Sequence, residues 1–137
     1  MNITYSLDTS VSLEHFLSLL HSSGLAERRP IDNETCLKGM LENSNLMVTA
    51  WDNTKLIGIA RCMTDFHYAC YLSDLAVDAA YQHLGIGKAL QAKVKASLHN
   101  TCKLILISAP DANDYYPHIG YTHNDRCWVL NGDQFIR

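Results

Sequence analysis

Gln82-His83-Leu84-Gly85-Ile86-Gly87-Lys88 is the stretch of this chain best suited to hold an anion. An apolar run ending in Leu75-Ala76-Val77 precedes it across a short polar connection, and a helical pattern opens at Ile86. A helix start exposes backbone N–H groups that have no intrahelical partner, together with the positive end of the helix dipole. Two glycines there remove Cβ atoms that would hold an anionic ligand off those N–H groups. The segment therefore suits a phosphate, and in particular a pyrophosphate. Two common phosphate loops fail on single residues. A Walker loop needs Gly-Lys-Ser/Thr, whereas Gly87-Lys88 is followed by Ala89. A dinucleotide fingerprint needs a third glycine where this chain carries Leu90.

With the strand before it and the helix after it, Gln82-x-x-Gly85-x-Gly87 resembles motif A of the GNAT family, the Gcn5-related N-acetyltransferases. In that motif Arg/Gln-x-x-Gly-x-Gly/Ala binds the pyrophosphate of acetyl-coenzyme A. A second stretch, Asn113-Asp114-Tyr115-Tyr116-Pro117-His118-Ile119-Gly120-Tyr121, resembles motif B, commonly Phe-Tyr-x-x-x-Gly-Phe. Tyr115 and Tyr116 stand at the Phe-Tyr pair, and Gly120-Tyr121 replaces Gly-Phe. Pro117 departs from the family's helix-forming residue. Proline is tolerated in a helix's first turn, so a short helix is expected to start late, capped by Asn113 or Asp114. The resemblance covers nearly the whole chain, the N-terminal third in pattern only.

The resemblance implies an α/β (α+β) GNAT fold over a single domain, residues 1–137. That fold has a central mixed sheet of about six to seven strands, flanked by about four helices. The cofactor lies in a splay between two parallel strands. It implies an N-acetyltransferase that moves acetyl from acetyl-CoA to a primary amine by direct attack in a ternary complex, which demands mainly positioning. Backbone groups of Leu75, Ala76 and Val77 would hold pantetheine, and one N–H would polarise the thioester oxygen. Gln82, His83, Leu84, Gly85, Ile86, Gly87 and Lys88 would seat the pyrophosphate, and Asn113 and Tyr116 would meet the pantetheine arm.

Tyr116 is the expected general acid, because a phenol is protonated at neutral pH and matches a thiolate leaving group. Tyr115 reads as packing. Asp74 is the first candidate for general base, relaying a proton through water, with Tyr71, His67 and His118 behind it. Capture of free amine from solution is the alternative to any base. A non-catalytic acyl-CoA binding or sensing module with the same fold is the competing function; retention of Tyr116 counts against it. A small-molecule amine is favoured as acceptor, with a protein amine as the other option, and the family leaves room for a homodimer.

Composition agrees with one packed globular domain. The chain has 137 residues, 47% of them apolar, enough for one buried core. The 11 Lys and Arg are scattered and the net charge is −3, which argues against a nucleic-acid partner. Cys36, Cys62, Cys70, Cys102 and Cys127 form an odd set with no Cys-x-x-Cys pair, so buried reduced thiols are expected. No zinc spacing is present, and no metal is expected. The start, Met1-Asn2-Ile3-Thr4-Tyr5, reads as a strand rather than a signal peptide, and no membrane span is visible. A cytoplasmic protein is the expectation.

The elements that must position these residues are legible from periodicity. Ile3, Tyr5 and Leu7 alternate as in a half-buried strand. Leu13, Phe16, Leu17 and Leu20 follow helical spacing up to Gly24, and Asn33 caps a second helix bearing Leu37, Met40 and Leu41. Leu46–Trp51 and Lys55–Met63 flank Asp52-Asn53-Thr54 as a hairpin, and a third strand runs from Ala69 to Val77. A long helix from Ile86 to about His99 buries Ile86, Leu90, Val94 and Leu98 and exposes Lys88, Gln91, Lys93 and Lys95. Lys103–Ser108 reads as a strand covered on both faces, and Cys127–Leu130 as a last strand.

Overall fold

A computed structural model describes residues 1–137. Its contacts fall into two compact units, Met1–Ile107 and Ser108–Arg137. The first holds a sheet built in chain order. Strand β1 (Ile3–Ser6) pairs with β2 (Leu46–Asp52), β2 with β3 (Lys55–Thr64), and β3 with β4 (Ala69–Val77), all antiparallel. β4 then pairs in parallel with the short β5 (Lys103–Ile105).

Two helices connect β1 to β2. Helix α1 (Leu13–Ser23) starts at Ser12, whose hydroxyl accepts from the His15 N–H, and stops at Gly24 with φ +84°. That left-handed φ is one glycine adopts without a Cβ clash. A 3₁₀ turn, Leu25–Arg28, leads on toward α2 (Glu34–Glu42), which Asn33 caps by accepting from the Cys36 N–H. The apolar face of α1 and α2, with Phe16, Leu19, Leu20 and Leu37, packs on one side of the sheet against Leu56, Ile59 and Ala76. Helix α3 (Ile86–Ala96) covers the other side, burying Ile86, Leu90 and Val94 against Val48, Ala60, Cys62 and Leu72.

Two one-residue insertions shape this sheet. β3 carries Ile57 as an extra residue between the Ala50–Gly58 and Trp51–Leu56 pairs. β4 carries Ser73 as an extra residue between the Cys62–Leu72 and Arg61–Asp74 pairs. An inserted residue reverses which face the following side chains meet. Before Ser73, Cys70 and Leu72 join the α3 side; after it, Leu75 and Val77 do, and Ala76 turns to the α1 side.

The second unit contains a 3₁₀ turn at Pro110–Ala112 and the one-turn helix α4 (Tyr115–His118). The late start expected for this helix is found. Asp114 sits at its N-cap without a side-chain capping bond, and Pro117 falls in the first turn.

The sheet has five strands rather than six or seven. β5 ends at Ile105, and Ile105 and Ile107 are exposed, so this run is not covered on both faces. It has one neighbour, β4, and an apolar run alone cannot tell one neighbour from two. Cys127–Leu130 forms no strand, and Trp128 there is 91% exposed. Its β-branched and aromatic character is a preference for packing, and no ladder satisfies it in this structure. Helix α3 is three residues shorter than expected, and Gln91 is buried in it rather than exposed, its amide donating to the Gly87 carbonyl at 3.1 Å. All five cysteines are free; Cys62, Cys70 and Cys102 are buried, whereas Cys36 and Cys127 are exposed.

Candidate active site

The direction of backbone groups along β4 follows from its pairing. In an antiparallel ladder successive residues point their N–H and C=O to opposite edges. The Asp78 N–H donates to the Ile57 carbonyl at 2.8 Å, continuing the register in which Ala76 opposes Ile59 and Asp74 opposes Arg61. Asp74, Ala76 and Asp78 therefore spend their backbone groups on β3. Leu75 and Val77 point theirs at the opposite edge. β5 pairs along that edge only at Ala69, Cys70 and Tyr71. From Leu72 to Val77 the edge has no strand beside it, which is the local opening that a splayed pair of parallel strands would give. Among the three residues expected to present backbone groups here, Leu75 and Val77 do so, while Ala76 faces β3.

The chain leaves β4 through an anchored turn. Asp78 caps the 3₁₀ turn Ala79–Tyr81 by accepting from the Ala80 N–H at 2.8 Å, and its carboxylate meets Lys55 Nζ at 3.4 Å. Tyr81 Oη donates to the Asp52 carboxylate at 2.7 Å. Both partners belong to the β2–β3 hairpin, so the turn is fixed to the sheet on two sides. Beyond it Gln82, His83, Leu84 and Gly85 are exposed. His83 has φ +65° and Gly85 φ +78°, so the backbone passes twice through the left-handed region before the helix opens. That conformation suits glycine at Gly85 and is uncommon for histidine.

The helix N-terminus is open. The first i→i−4 bond of α3 runs from the Ala89 N–H to the Gly85 carbonyl. Ile86, Gly87 and Lys88 thus have N–H groups without such a partner, at the positive end of the dipole. A Cβ built on Gly85 meets nothing within 4 Å, so the space beside the loop is free. Gln82 turns its side chain back, with Nε2 at 3.5 Å from the Val77 carbonyl. Lys88 is exposed and Gly87 half-buried. The depth of the loop against the sheet depends on Gly58 of β3. A Cβ there would stand 3.1 Å from Leu90 Cδ1 and 3.2 Å from Ile86 Cγ2, both on α3.

This geometry fits the pyrophosphate and pantetheine arm of coenzyme A. The open N-terminus has N–H donors that phosphate oxygens would need, and the open edge of β4 has the alternating donors and acceptors that the arm's amides would need.

Asp74 is enclosed within the protein. It has no exposed surface, and both of its oxygens accept from guanidinium groups. Arg29 Nε donates at 2.6 Å, and Arg61 Nε donates to the second oxygen. Arg61 is itself buried and also donates to Ser73 Oγ at 2.9 Å, Ser44 Oγ at 2.9 Å and the Met40 carbonyl at 3.1 Å. Arg29 donates further to the Ser73 carbonyl at 2.8 Å. A carboxylate so enclosed cannot take a proton from a substrate directly. Neither arginine was singled out from sequence, because an isolated Arg in a strand or loop carries no spacing signal. The other candidate bases belong to different elements. Tyr71 is partly exposed, and His67 sits in the β3–β4 turn stacked on His99 with ring centroids 4.0 Å apart. His118 is exposed in the second unit.

In the second unit Tyr116 packs edge-on against Tyr115 and Tyr121, with centroids 5.1 Å and 5.4 Å away. Burial pushes its phenol above the ordinary tyrosine value, and the neighbouring Tyr115 adds to the rise. Tyr116 is therefore a protonated donor throughout the neutral range. The Asn113 side-chain oxygen accepts from Ser108 Oγ at 3.0 Å.

Comparison with known proteins accords with this arrangement. The profile of the acetyltransferase (GNAT) domain matches residues 22–137. An uncharacterized N-acetyltransferase, ycf52-like, from Prochlorococcus marinus is 32% identical over 138 residues, spanning 93% of this chain and 74% of that protein. Among solved structures, a protein of unknown function from meticillin-resistant Staphylococcus aureus, described as a probable acetyltransferase, superposes with TM-score 0.75. It is 20% identical and the match covers 99% of both chains. The aminoglycoside N-acetyltransferase AAC(6')-Iy, solved in complex with CoA, superposes with TM-score 0.72 at 16% identity, over 97% of this chain and 96% of that one. At such identities the structural likeness speaks for the fold alone. The profile match, which takes in both the glycine loop and the tyrosine pair, carries the assignment: the chain belongs to the GNAT family of acetyltransferases.

Proposed function

We propose that this chain is an acetyl-CoA-dependent N-acetyltransferase, one domain over residues 1–137, acting on a primary amine by direct attack in a ternary complex. The observation that carries the reading is the continuity of two anion- and amide-binding features. The edge of β4 left open at Leu75 and Val77 runs directly into the loop that opens α3 at Gly85. When bound, acetyl-CoA supplies the activated acetyl group and a thiolate leaving group. The N–H groups of Ile86, Gly87 and Lys88 hold the pyrophosphate, with Gln82 to Gly85 shaping the approach. Leu75 and Val77 hold the arm through their backbones, and one of their N–H groups donates to the thioester oxygen. Such a fixed donor favours the charge that develops on that oxygen.

Tyr116 donates the proton that the thiolate needs on departure, with Asn113 near it in the chain orienting the arm. Asp74 is reassigned from base to positioning group, because its oxygens are held by Arg29 and Arg61. The enzyme takes the neutral fraction of amine from solution, and the proton that the attacking nitrogen sheds passes through water to restore the Tyr116 phenol after it has protonated the thiolate. The acceptor is a small-molecule amine, a reading that the aminoglycoside acetyltransferases among the structural neighbours support. Five free cysteines suit the reducing cytoplasm.

The test is turnover of acetyl-CoA against spermidine, glucosamine, kanamycin and a lysine peptide, with thiol release as the readout. Acetylation of one of the small amines is expected. Binding of CoA without turnover of any amine would support an acyl-CoA binding module instead, and failure to bind CoA would overturn the assignment.

A further inference from the structure

The extra residue of β4 is clamped by ion pairs. Ser73 stands opposite no β3 residue, yet both of its polar groups are held: its carbonyl accepts from Arg29 at 2.8 Å and its hydroxyl from Arg61 at 2.9 Å. The same two guanidinium groups meet on the next residue, Asp74, one at each carboxylate oxygen. The clamp reaches across the fold. Arg29 follows the 3₁₀ turn after α1, and Arg61 also donates to the Met40 carbonyl at the end of α2. Nothing else in the fold brings both helical connections and two strands to one carboxylate.

Position matters here because face and edge are locked together in a strand. The insertion at Ser73 is what turns Leu75 and Val77 to the α3 side and their N–H groups to the open edge. Without it the phase would slip by one, Asp74 and Ala76 would present their N–H groups at the opening, and Leu75 and Val77 would face β3. A carboxylate on the α3 side would also enter an apolar core.

We propose that the Arg29–Asp74–Arg61 triad is a positioning device for catalysis: by holding the Ser73 insertion it sets which β4 N–H groups meet the acetyl thioester. It acts through the backbone and touches no reacting atom. The inference rests on the acetyl-CoA reading above. It makes a separable demand: loosening the triad should harm the polarisation of the acetyl group more than the seating of the cofactor, whose pyrophosphate is held by α3.

The experiment uses the full chain with acetyl-CoA carrying a ¹³C-labelled acetyl carbonyl, and CoA as the control ligand. In the wild type, binding is expected to shift the labelled carbonyl stretch to lower frequency. In Asp74→Asn, and in Arg29→Gln, which keeps the Arg61–Asp74 pair, most of that shift is expected to vanish while CoA affinity falls by severalfold at most, since the pyrophosphate seat on α3 is untouched. Arg29→Lys retains the charge but loses the fork that spans Asp74 and the Ser73 carbonyl, so it should not restore the shift. A full carbonyl shift in Arg29→Gln would overturn the proposal. Parallel loss of CoA affinity and carbonyl shift in every folded variant would also overturn it, by reducing the triad to a fold-stabilising cluster. If the wild type itself bound neither CoA nor acetyl-CoA, the acetyltransferase reading would fall first, which the variants cannot mimic.

Discussion

Tyr81 and Asp52 are joined by a 2.7 Å hydrogen bond across 29 positions, tying the turn after β4 to the end of the β2–β3 hairpin. The phenol donates and the carboxylate accepts. That bond is the main reason the Asp52 carboxyl lies below its ordinary range, aided by the Asn2 N–H, and the main reason the Tyr81 phenol lies above its own. The turn so fixed delivers the chain to the exposed loop at Gln82.

The signs of the two shifts define a pH window. A depressed carboxyl contributes above its unfolded value and loses the contribution as pH falls through its folded one. A raised phenol contributes below its unfolded value and loses the contribution as pH rises through its folded one. The bond should therefore hold between about pH 4 and about pH 10. Tyr81→Phe should bring the Asp52 titration, followed by carboxyl NMR, back toward the ordinary range, incompletely because the Asn2 N–H remains. CoA binding should weaken in the same variant. An unmoved Asp52 titration would detach the turn from the hairpin as an anchor.

A second prediction concerns the fit of α3 on the sheet. Gly58→Val would place carbon atoms into the space held by Leu90, Ile86 and Ala50, where even a Cβ is within 3.1 to 3.3 Å. Overpacking of this kind costs about 1–3 kcal/mol. The melting temperature should fall, and CoA affinity with it, because Ile86 opens the end of α3 that is proposed to seat the pyrophosphate. A variant with wild-type stability would mean that α3 moves away freely.

The legible parts of this molecule are those written in local chemistry. The caps at Asn33 and Gly24, the hairpin about Asn53, and the amphipathic spacing of Ile86, Leu90 and Val94 can be read because each depends on neighbours within one or two turns. The loop from Gln82 to Lys88 was legible for the same reason: its glycines and the helix start do their work locally. The strand that carries Asp74 is legible, but the residue's surroundings are not. Its partner Arg29 is 45 residues away, and only the tertiary fold shows that two guanidinium groups converge there. The insertion at Ser73 was equally hidden, since the sequence Leu72-Ser73-Asp74-Leu75 alternates without a break. Likewise Trp128-Val129-Leu130 has the composition of a strand, and composition does not supply a neighbouring strand.

Gly87→Asp separates fold from cofactor. A carboxylate in the first turn of α3 interacts favourably with the helix dipole, so the fold should be retained. The same carboxylate and its side chain would stand where the pyrophosphate is proposed to sit. CoA affinity should drop at least tenfold, about 1.4 kcal/mol or more, by calorimetry in magnesium-free buffer. Unchanged affinity would move the phosphate site away from this helix.

Tyr116→Phe isolates the proton from the packing, because the ring that meets Tyr115 and Tyr121 is kept. If the hydroxyl protonates the departing thiolate, kcat should fall on the order of 10²-fold, the range of general acid catalysis, at nearly constant acetyl-CoA affinity. Tyr115→Phe is the control and should leave the rate almost unchanged. The pH profile gives an independent readout. Partial burial raises the Tyr116 phenol above the ordinary tyrosine value, so the wild-type rate should show no acid-group loss through the neutral and mildly alkaline range. With no side-chain base, the rising limb should follow the pKa of the amine and move when the amine is changed. A rising limb fixed across amines would reveal an enzymic base. Equal and small effects at both tyrosines would demote Tyr116 to packing, leaving the β4 backbone donors and proximity to carry the reaction.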